Sequence, residues 1–271
     1  MRTLAAIWVL AAGCGRIGFE SHVDPTGDGA RDQVGPSADA DLAPLLVGCQ
    51  LGLAMNEASW TAGLVDRCGG DNIGVPTGGA TPVDDPQRGR VGEFVGGTSC
   101  VIVPDAPELR GGSAVTVSSW VRPTQLTPAS FGVVSKRTDF TIDTAYSVFV
   151  WADMAGAGTV NHVYVDIDTE NDRFENPGDE FLNAWKQITI VYDGSRTQAE
   201  RIAVYVDGGF RTYGPETSSS IPTPTTPPDV YVGCLPLGGP AQSLVGRLDD
   251  VMIWSRALPA ADVAAWYAAT K

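Results

Sequence analysis

The chain has 271 residues and a formal net charge of −14. A protein this acidic is repelled by phosphate backbones, which argues against nucleic-acid partners. Hydrophobic residues make up 43% of the chain, yet no apolar run approaches the roughly 20 residues of a membrane span. The 32 glycines and 19 prolines favour a turn-rich all-β fold, and the length is sufficient for one large β-sandwich with a substantial core.

Residues 1–13 have the pattern of an export signal. Arg2 gives a positive start, Leu4 to Ala12 form an apolar stretch, and small residues precede Cys14. This resembles the signal of bacterial lipoproteins, in which the cysteine is lipidated and becomes the mature N-terminus. The resemblance implies a lipid anchor on Cys14, and Gly15 after it implies delivery to the outer membrane. An ordinary signal peptide and a misassigned start codon are the alternatives.

Residues 14–45 are predicted to be a disordered tether between this anchor and one folded domain over residues 46–271. The tether is rich in Gly, Pro, Asp, Ser and Ala and has no apolar period, so it buries too little surface to offset its ordering entropy. In the domain, short alternating segments recur between turn signals, which predicts a β-sandwich. Residues 65–85 are expected to be loop-rich, and the proline-rich run over residues 215–229 is expected to be a loop.

The end of the chain is predicted to be a strand followed by a short helix. Leu248, Val251 and Ile253 suit a half-buried strand. Pro259 suits the first turn of a helix, because its missing N–H would be unpaired there. The stripe formed by Val263, Trp266 and Tyr267 then has helical spacing.

The same C-terminal stretch, GRLDDVMIWSRALPAADVAAWY, resembles the closing signature of laminin-G-like, concanavalin A-like jelly-roll domains. Further segments match that family in its order along the chain: VDRCGGDNIG, GEFVGGTSCVIVPD, VTVSSWVRP and WKQITIVYDG. The resemblance implies an all-β fold, an antiparallel jelly-roll β-sandwich with a short C-terminal helix. One fold hosts many unrelated activities, so it specifies no ligand.

Five cysteines are present, and four remain if Cys14 carries a lipid. An even number in an exported protein predicts two disulfides, for which four cysteines allow three pairings. The favoured pairing is Cys49–Cys68, which closes a local loop, together with Cys100–Cys234.

The carboxylates of Glu170, Asp172 and Glu175 match the E-x-D-x-x-E spacing of some retaining glucanases of the same superfamily. Such catalysis needs two carboxylates about 5 Å apart, one as nucleophile and one as general acid/base. Asn171 and Arg173 stand between the acids at positions where the family pattern has apolar residues. The composition of this segment instead indicates an exposed hairpin loop.

A structural Ca²⁺ site is a further expectation from family resemblance. Jelly-roll binding modules often hold such an ion between the opening segment and the closing strand, and the matching positions are Glu57, Asp66 and Asp250. Carboxylate oxygens are suitable Ca²⁺ ligands. The alternative is that an Asp in a turn caps local backbone groups.

Trp151, Tyr164 and Tyr205 fall in strand-like segments and are candidates for a platform on which sugar rings stack. The alternative is that they pack in the core, as most large aromatic side chains do.

The predicted function is a surface-anchored, non-catalytic binding module for glycans or cell-surface proteins. A glycoside hydrolase and a structural envelope protein without a small ligand are the two alternatives.

Overall fold

The chain folds into two facing antiparallel β-sheets. The computed structural model describes residues 42–125, 130–138, 145–151, 162–167, 170–174, 178–236 and 242–271. Within these ranges there are two eight-stranded sheets, a two-stranded ribbon and a C-terminal helix. This architecture confirms the predicted concanavalin A-like β-sandwich.

The first sheet has eight strands, β1 (Cys49–Leu53), β4 (Thr81–Asp85), β5 (Gly89–Val95), β7 (Ala114–Pro123), β12 (Lys186–Asp193), β13 (Ile202–Val206), β14 (Gly209–Gly214) and β18 (Val245–Trp254). Their order across the sheet is β14-β13-β12-β7-β18-β5-β4, and β1 also pairs with β18.

The second sheet has eight strands, β2 (Leu64–Val65), β3 (Ile73–Thr77), β6 (Cys100–Val103), β8 (Ser130–Lys136), β9 (Tyr146–Trp151), β10 (His162–Ile167), β11 (Glu170–Phe174) and β15 (Val230–Val232). Their order across the sheet is β11-β10-β9-β8-β15-β6-β3-β2. The ribbon pairs β16 (Cys234–Leu235) with β17 (Gln242–Ser243), and the helix is α1 (Ala260–Thr270).

The main core lies between the two sheets. In β7, Val115, Val117 and Val121 belong to this core, as the alternating pattern predicts. Thr116 and Trp120 lie on the opposite face, where they hydrogen-bond the C-terminal segment. Burying each such valine contributes about 1.5–3 kcal/mol, so the period-two pattern determines which face of each sheet points inward.

A second apolar cluster lies on the outer face of the first sheet, beneath α1. Val263 and Trp266 are buried against it, and the Trp266 ring meets the Trp254 ring edge-on at 5.4 Å. This confirms the predicted strand and helix. Leu42 and Leu45 belong to the same cluster, and Trp254 Nε1 donates to the Leu45 carbonyl oxygen at 2.8 Å. The packed unit therefore includes residues that the sequence assigns to the tether.

Two disulfides join Cys49 to Cys68 and Cys100 to Cys234, with Cα atoms 5.4 Å apart in each pair. This is the pairing that the sequence favours among the three possible ones. Because disulfides persist in oxidising compartments, the two bonds indicate an exported protein.

The prediction that residues 65–85 are loop-rich is wrong. This segment contains β3 and β4, and β2 ends at its first residue. Glycine and proline weaken the strand pattern there. Pairing with β6 and β5 supplies the hydrogen-bond ladders that local propensity does not predict.

Candidate functional site

The aromatic residues singled out from the sequence do not form one platform. Val163 and Val165 point into the core from β10, so Tyr164 lies on the outer face of the second sheet. Tyr205 lies on the outer face of the first sheet, in the cluster beneath α1. The two tyrosines are thus on opposite sides of the sandwich. Trp151 is the last residue of β9, and its side chain is outside the described part of the structure.

The structure instead places two further aromatic residues beside Tyr205. β13 and β14 are joined by a two-residue turn, Asp207-Gly208, in which both residues have positive φ, 52° and 72°. This geometry matches the twist of antiparallel strands. Val204 pairs with Thr212 and Tyr205 pairs with Phe210, so Arg211 is an extra residue in β14.

This β-bulge determines where the aromatic rings lie. Phe210 and Tyr213 are three residues apart and would occupy opposite faces of a regular strand. The extra residue shifts the alternation, so Phe210 lies opposite Tyr205 and Tyr213 lies opposite Ala203. Both rings therefore lie on the outer face of the first sheet. We call Tyr205, Phe210 and Tyr213 the aromatic cluster.

One ring of the aromatic cluster is buried and the other two are exposed. The Phe210 ring lies 5.6 Å from the Tyr205 ring and 4.7 Å from the Tyr213 ring, measured between centroids. Tyr205 is buried, whereas Phe210 is 48% exposed and Tyr213 is 43% exposed. Burial raises the pKa of Tyr205, so its phenol stays neutral at physiological pH. Two large apolar rings thus remain in contact with solvent on a supported surface.

Charged side chains border β14 and the preceding turn. Arg211 Nη2 lies 3.4 Å from Glu180 Oε2, and both side chains are about half exposed. In the β12–β13 connection, Arg196 Nε lies 3.5 Å from Asp193 Oδ2, and the Arg196 side chain is also about half exposed. Such exposed ion pairs contribute little stability. Arg196 acts electrostatically on the Tyr205 phenol, and Arg211 follows Phe210 in the chain, so both cations lie near the aromatic cluster.

The three carboxylates expected to hold Ca²⁺ are engaged separately. Asp66 Oδ1 accepts the backbone N–H groups of Gly52 and Cys68 at 2.9 Å each, and Oδ2 accepts from Asn72 at 3.2 Å. Burial raises the pKa of Asp66. Glu57 Oε1 accepts the Val65 N–H at 3.3 Å. Among the described residues, no group of three metal-ligating side chains that could hold an ion occurs.

Asp250 has a structural partner that the sequence does not reveal. Asp250 has a φ of 47° at an irregularity in β18, which lets consecutive acids share one partner. Arg88 Nε donates to Asp249 Oδ2 at 2.7 Å, and Arg88 Nη2 donates to Asp250 Oδ2 at 2.8 Å. Arg88 also donates to the Thr270 carbonyl oxygen at 3.0 Å and lies over the Trp120 ring. The paired aspartates of the closing signature thus orient an arginine that holds the end of α1.

Two of the three candidate catalytic residues belong to the edge strand of the second sheet. Glu170 and Asp172 are in β11, which pairs with β10, and Glu175 falls outside the described residues. The expected hairpin is present, but residues 170–174 form an edge strand rather than a loop. In the register of β10 and β11, Glu170 lies opposite Ile167 and Asp172 lies opposite Val165.

Cys14, the predicted lipidation site, and residues 15–41 fall outside the described residues. In the part that is described, no helix combines the length and apolar character needed to cross a membrane.

The fold and the site define the protein as an exported jelly-roll β-sandwich with an exposed aromatic cluster beside its C-terminal helix. The chain belongs to the concanavalin A-like lectin/glucanase superfamily, whose laminin-G profile matches residues 95–264. No curated protein sequence matches the chain.

Solved structures share this fold at low sequence identity. Domain 4 of AbnA, an extracellular GH43 arabinanase from Geobacillus stearothermophilus solved with arabinotriose, has a TM-score of 0.57 and 16% identity. That match covers 80% of this chain and 97% of the domain. A structure of botulinum neurotoxin type C, whose cell entry depends on two ganglioside molecules, has a TM-score of 0.61 and 12% identity.

A third similar structure is the ligand-binding domain of botulinum neurotoxin serotype D in complex with N-acetylneuraminic acid, with a TM-score of 0.58 and 12% identity. The two neurotoxin matches cover 85% and 84% of this chain but 53% and 52% of the toxin chains. This chain therefore matches only about half of each toxin structure. At these identities the similarity establishes the fold alone.

Proposed function

We propose that the protein is a non-catalytic adhesion module that binds glycans through the aromatic cluster and is held at the outer membrane by a lipid on Cys14. The observation that carries the proposal is the pair of exposed rings, Phe210 and Tyr213, of which Phe210 packs edge-on against the buried Tyr205. A sugar ring presents an apolar C–H face that packs on an aromatic ring, while its hydroxyl groups need polar partners at the border.

The composition of the cluster suits this role. An edge strand that exposes two aromatic rings is a liability for aggregation unless those rings have a use. Arg196 and Arg211 provide donors near the rings, and their ion-pair partners provide acceptors. The similar structures solved with arabinotriose and N-acetylneuraminic acid agree with a glycan as the ligand class.

The test is a glycan array probed with the full chain carrying Cys14→Ser, which keeps the protein free of lipid. We expect selective binding that weakens about tenfold in Phe210→Ala and in Tyr213→Ala, since each removes a stacking surface. Val95→Ala is the matched control, because Val95 is also exposed on the first sheet but lies on β5, far from β14 in the strand order. Binding that both ring variants retain would refute the cluster as the site.

Two further arms address the calcium and hydrolase expectations. Repeating the array with a chelator tests for Ca²⁺, and loss of binding would support a metal at or near the site. Release of reducing sugar from a bound glucan would contradict a non-catalytic module. It would favour a glycoside hydrolase that uses the carboxylates of Glu170 and Glu175. Absence of all glycan binding would favour a protein ligand or a structural envelope role.

The anchor is tested separately. Mass spectrometry of the membrane-extracted protein should find an acylated N-terminal Cys14. An unmodified N-terminus at another residue would refute lipidation.

A further inference from the structure

The second sheet exposes a continuous row of apolar side chains on its outer face. Val65 lies opposite Ile73, Val75 lies opposite Ile102, and Ile102 lies opposite Tyr231 in the register of the sheet. Ile73 and Val75 are two residues apart in β3 and share a face. We call Val65, Ile73, Val75, Ile102 and Tyr231 the apolar row.

The neighbours of these residues show that the row faces away from the core. Leu64, Val101 and Val103 precede or follow members of the row and are buried between the sheets, so the alternating row members point outward. Val65 is 65% exposed, Ile73 is 50% exposed and Val75 is 49% exposed, whereas Ile102 and Tyr231 are half-buried.

The solvated face of an antiparallel sheet is normally polar. A contiguous exposed apolar patch marks an interaction surface. The aromatic cluster is on the outer face of the other sheet, so the apolar row is a separate surface.

The edge of the sheet beside the row is closed to strand addition at one position. β2 is the edge strand and has only two residues, and the N–H of Val65 donates to Glu57 Oε1. Short edge strands with engaged amides discourage pairing with another chain. A partner is therefore expected to pack on the face of the row rather than to extend the sheet.

The charges near the row select the partner. The exposed Asp71 precedes Ile73 by two residues, and the half-buried Asp229 precedes Tyr231 by two residues. The nearby cations already have acidic partners, since Arg67 Nη1 lies 4.0 Å from Asp250 and Arg110 Nη2 lies 2.5 Å from Asp105. The border of the row is therefore acidic.

Two copies of the chain, each with a net charge of −14, would bring these acidic borders together, which disfavours self-association. We propose that the apolar row is a docking surface for a protein segment whose apolar side chains are flanked by lysine or arginine. Its apolar side chains pack on the row, and its cations meet Asp71 and Asp229.

The test uses the full chain carrying Cys14→Ser and a synthetic peptide of alternating lysine and valine as the probe. Two control peptides replace every lysine by glutamate, or every valine by serine. We expect the wild-type row to bind only the lysine–valine peptide. The triple variant Val65→Thr, Ile73→Thr, Val75→Thr should bind it about tenfold more weakly, because the row loses apolar contact area.

Controls separate this effect from unfolding. Threonine keeps a β-branched shape, so thermal unfolding of the triple variant should change little. Val47→Thr with Val95→Thr is the matched control, since both valines are as exposed as Val65, Ile73 and Val75 but lie outside the row. Asp71→Lys leaves the row intact and should also weaken binding of the lysine–valine peptide.

Three results would overturn the proposal. One is equal binding of the lysine–valine peptide by the wild type and the triple variant. Another is binding of the glutamate–valine peptide as tightly as the lysine–valine peptide. The third is concentration-dependent self-association in sedimentation equilibrium that the triple variant loses, which would assign the row to a second copy. None of these results depends on glycan binding.

Discussion

Removing the Cys100–Cys234 disulfide should destabilise the protein more than removing Cys49–Cys68. The first bond spans 134 positions of sequence and the second spans 19. A cross-link stabilises mainly by lowering the entropy of the unfolded chain, and this effect grows with the logarithm of the loop length. The expected losses in unfolding free energy are about 5 and about 3 kcal/mol, and they differ by about 1.7 kcal/mol.

The measurement is urea unfolding of the two double-alanine variants, Cys100→Ala with Cys234→Ala and Cys49→Ala with Cys68→Ala, followed by tryptophan fluorescence. With a slope of roughly 2–3 kcal/mol per molar urea, the two midpoints should differ by about 0.6–0.9 M. Cys100 and Cys234 are also the more buried pair, so the cavities left by alanine act in the same direction. Equal midpoints, or the opposite order, would refute the loop-entropy reasoning.

Three further predictions concern buried charges. Lys136 is fully buried and donates to Asp105 and to the Pro228 carbonyl oxygen. Lys136→Met should lower the unfolding free energy by about 3 kcal/mol, because Asp105 and the Pro228 carbonyl oxygen lose a buried partner. Urea titration measures this loss, and an unchanged midpoint would contradict the prediction.

Burial raises the pKa of Asp85, but its hydrogen bonds outweigh this and the net pKa is lowered. Its stabilisation is therefore present above about pH 4 and lost as pH falls further. Asp85→Asn should be less stable than the wild type at pH 7, with the difference shrinking in acid, and a difference that does not vary with pH would refute this.

Arg88→Met should loosen the end of α1 and the irregular part of β18, because Thr270 and the carboxylates of Asp249 and Asp250 lose a shared buried cation. Faster hydrogen exchange at residues 249–250 and 266–270 is the expected result, and unchanged exchange at both places would refute it.

Much of the architecture followed from the sequence by itself, because it depends on local patterns. Period-two alternation identified the inward face of β7, and the helical stripe at Val263 and Trp266 identified the helix that covers the first sheet. The spacing of four cysteines favoured the pairing that the structure has. The strand face and the helix depend on residues close together in the chain. The disulfide pairing is one of only three that four cysteines allow.

The candidate site was decided by tertiary structure. Phe210 and Tyr213 share a face only because Arg211 is an extra residue against β13. Tyr164 and Tyr205 were separated because their strands belong to different sheets. Strand pairing is a non-local interaction, and one inserted residue reverses the face of every side chain that follows. The alternation within one strand therefore could not show which aromatic rings would meet. The register between paired strands, which only the tertiary structure gives, decides it.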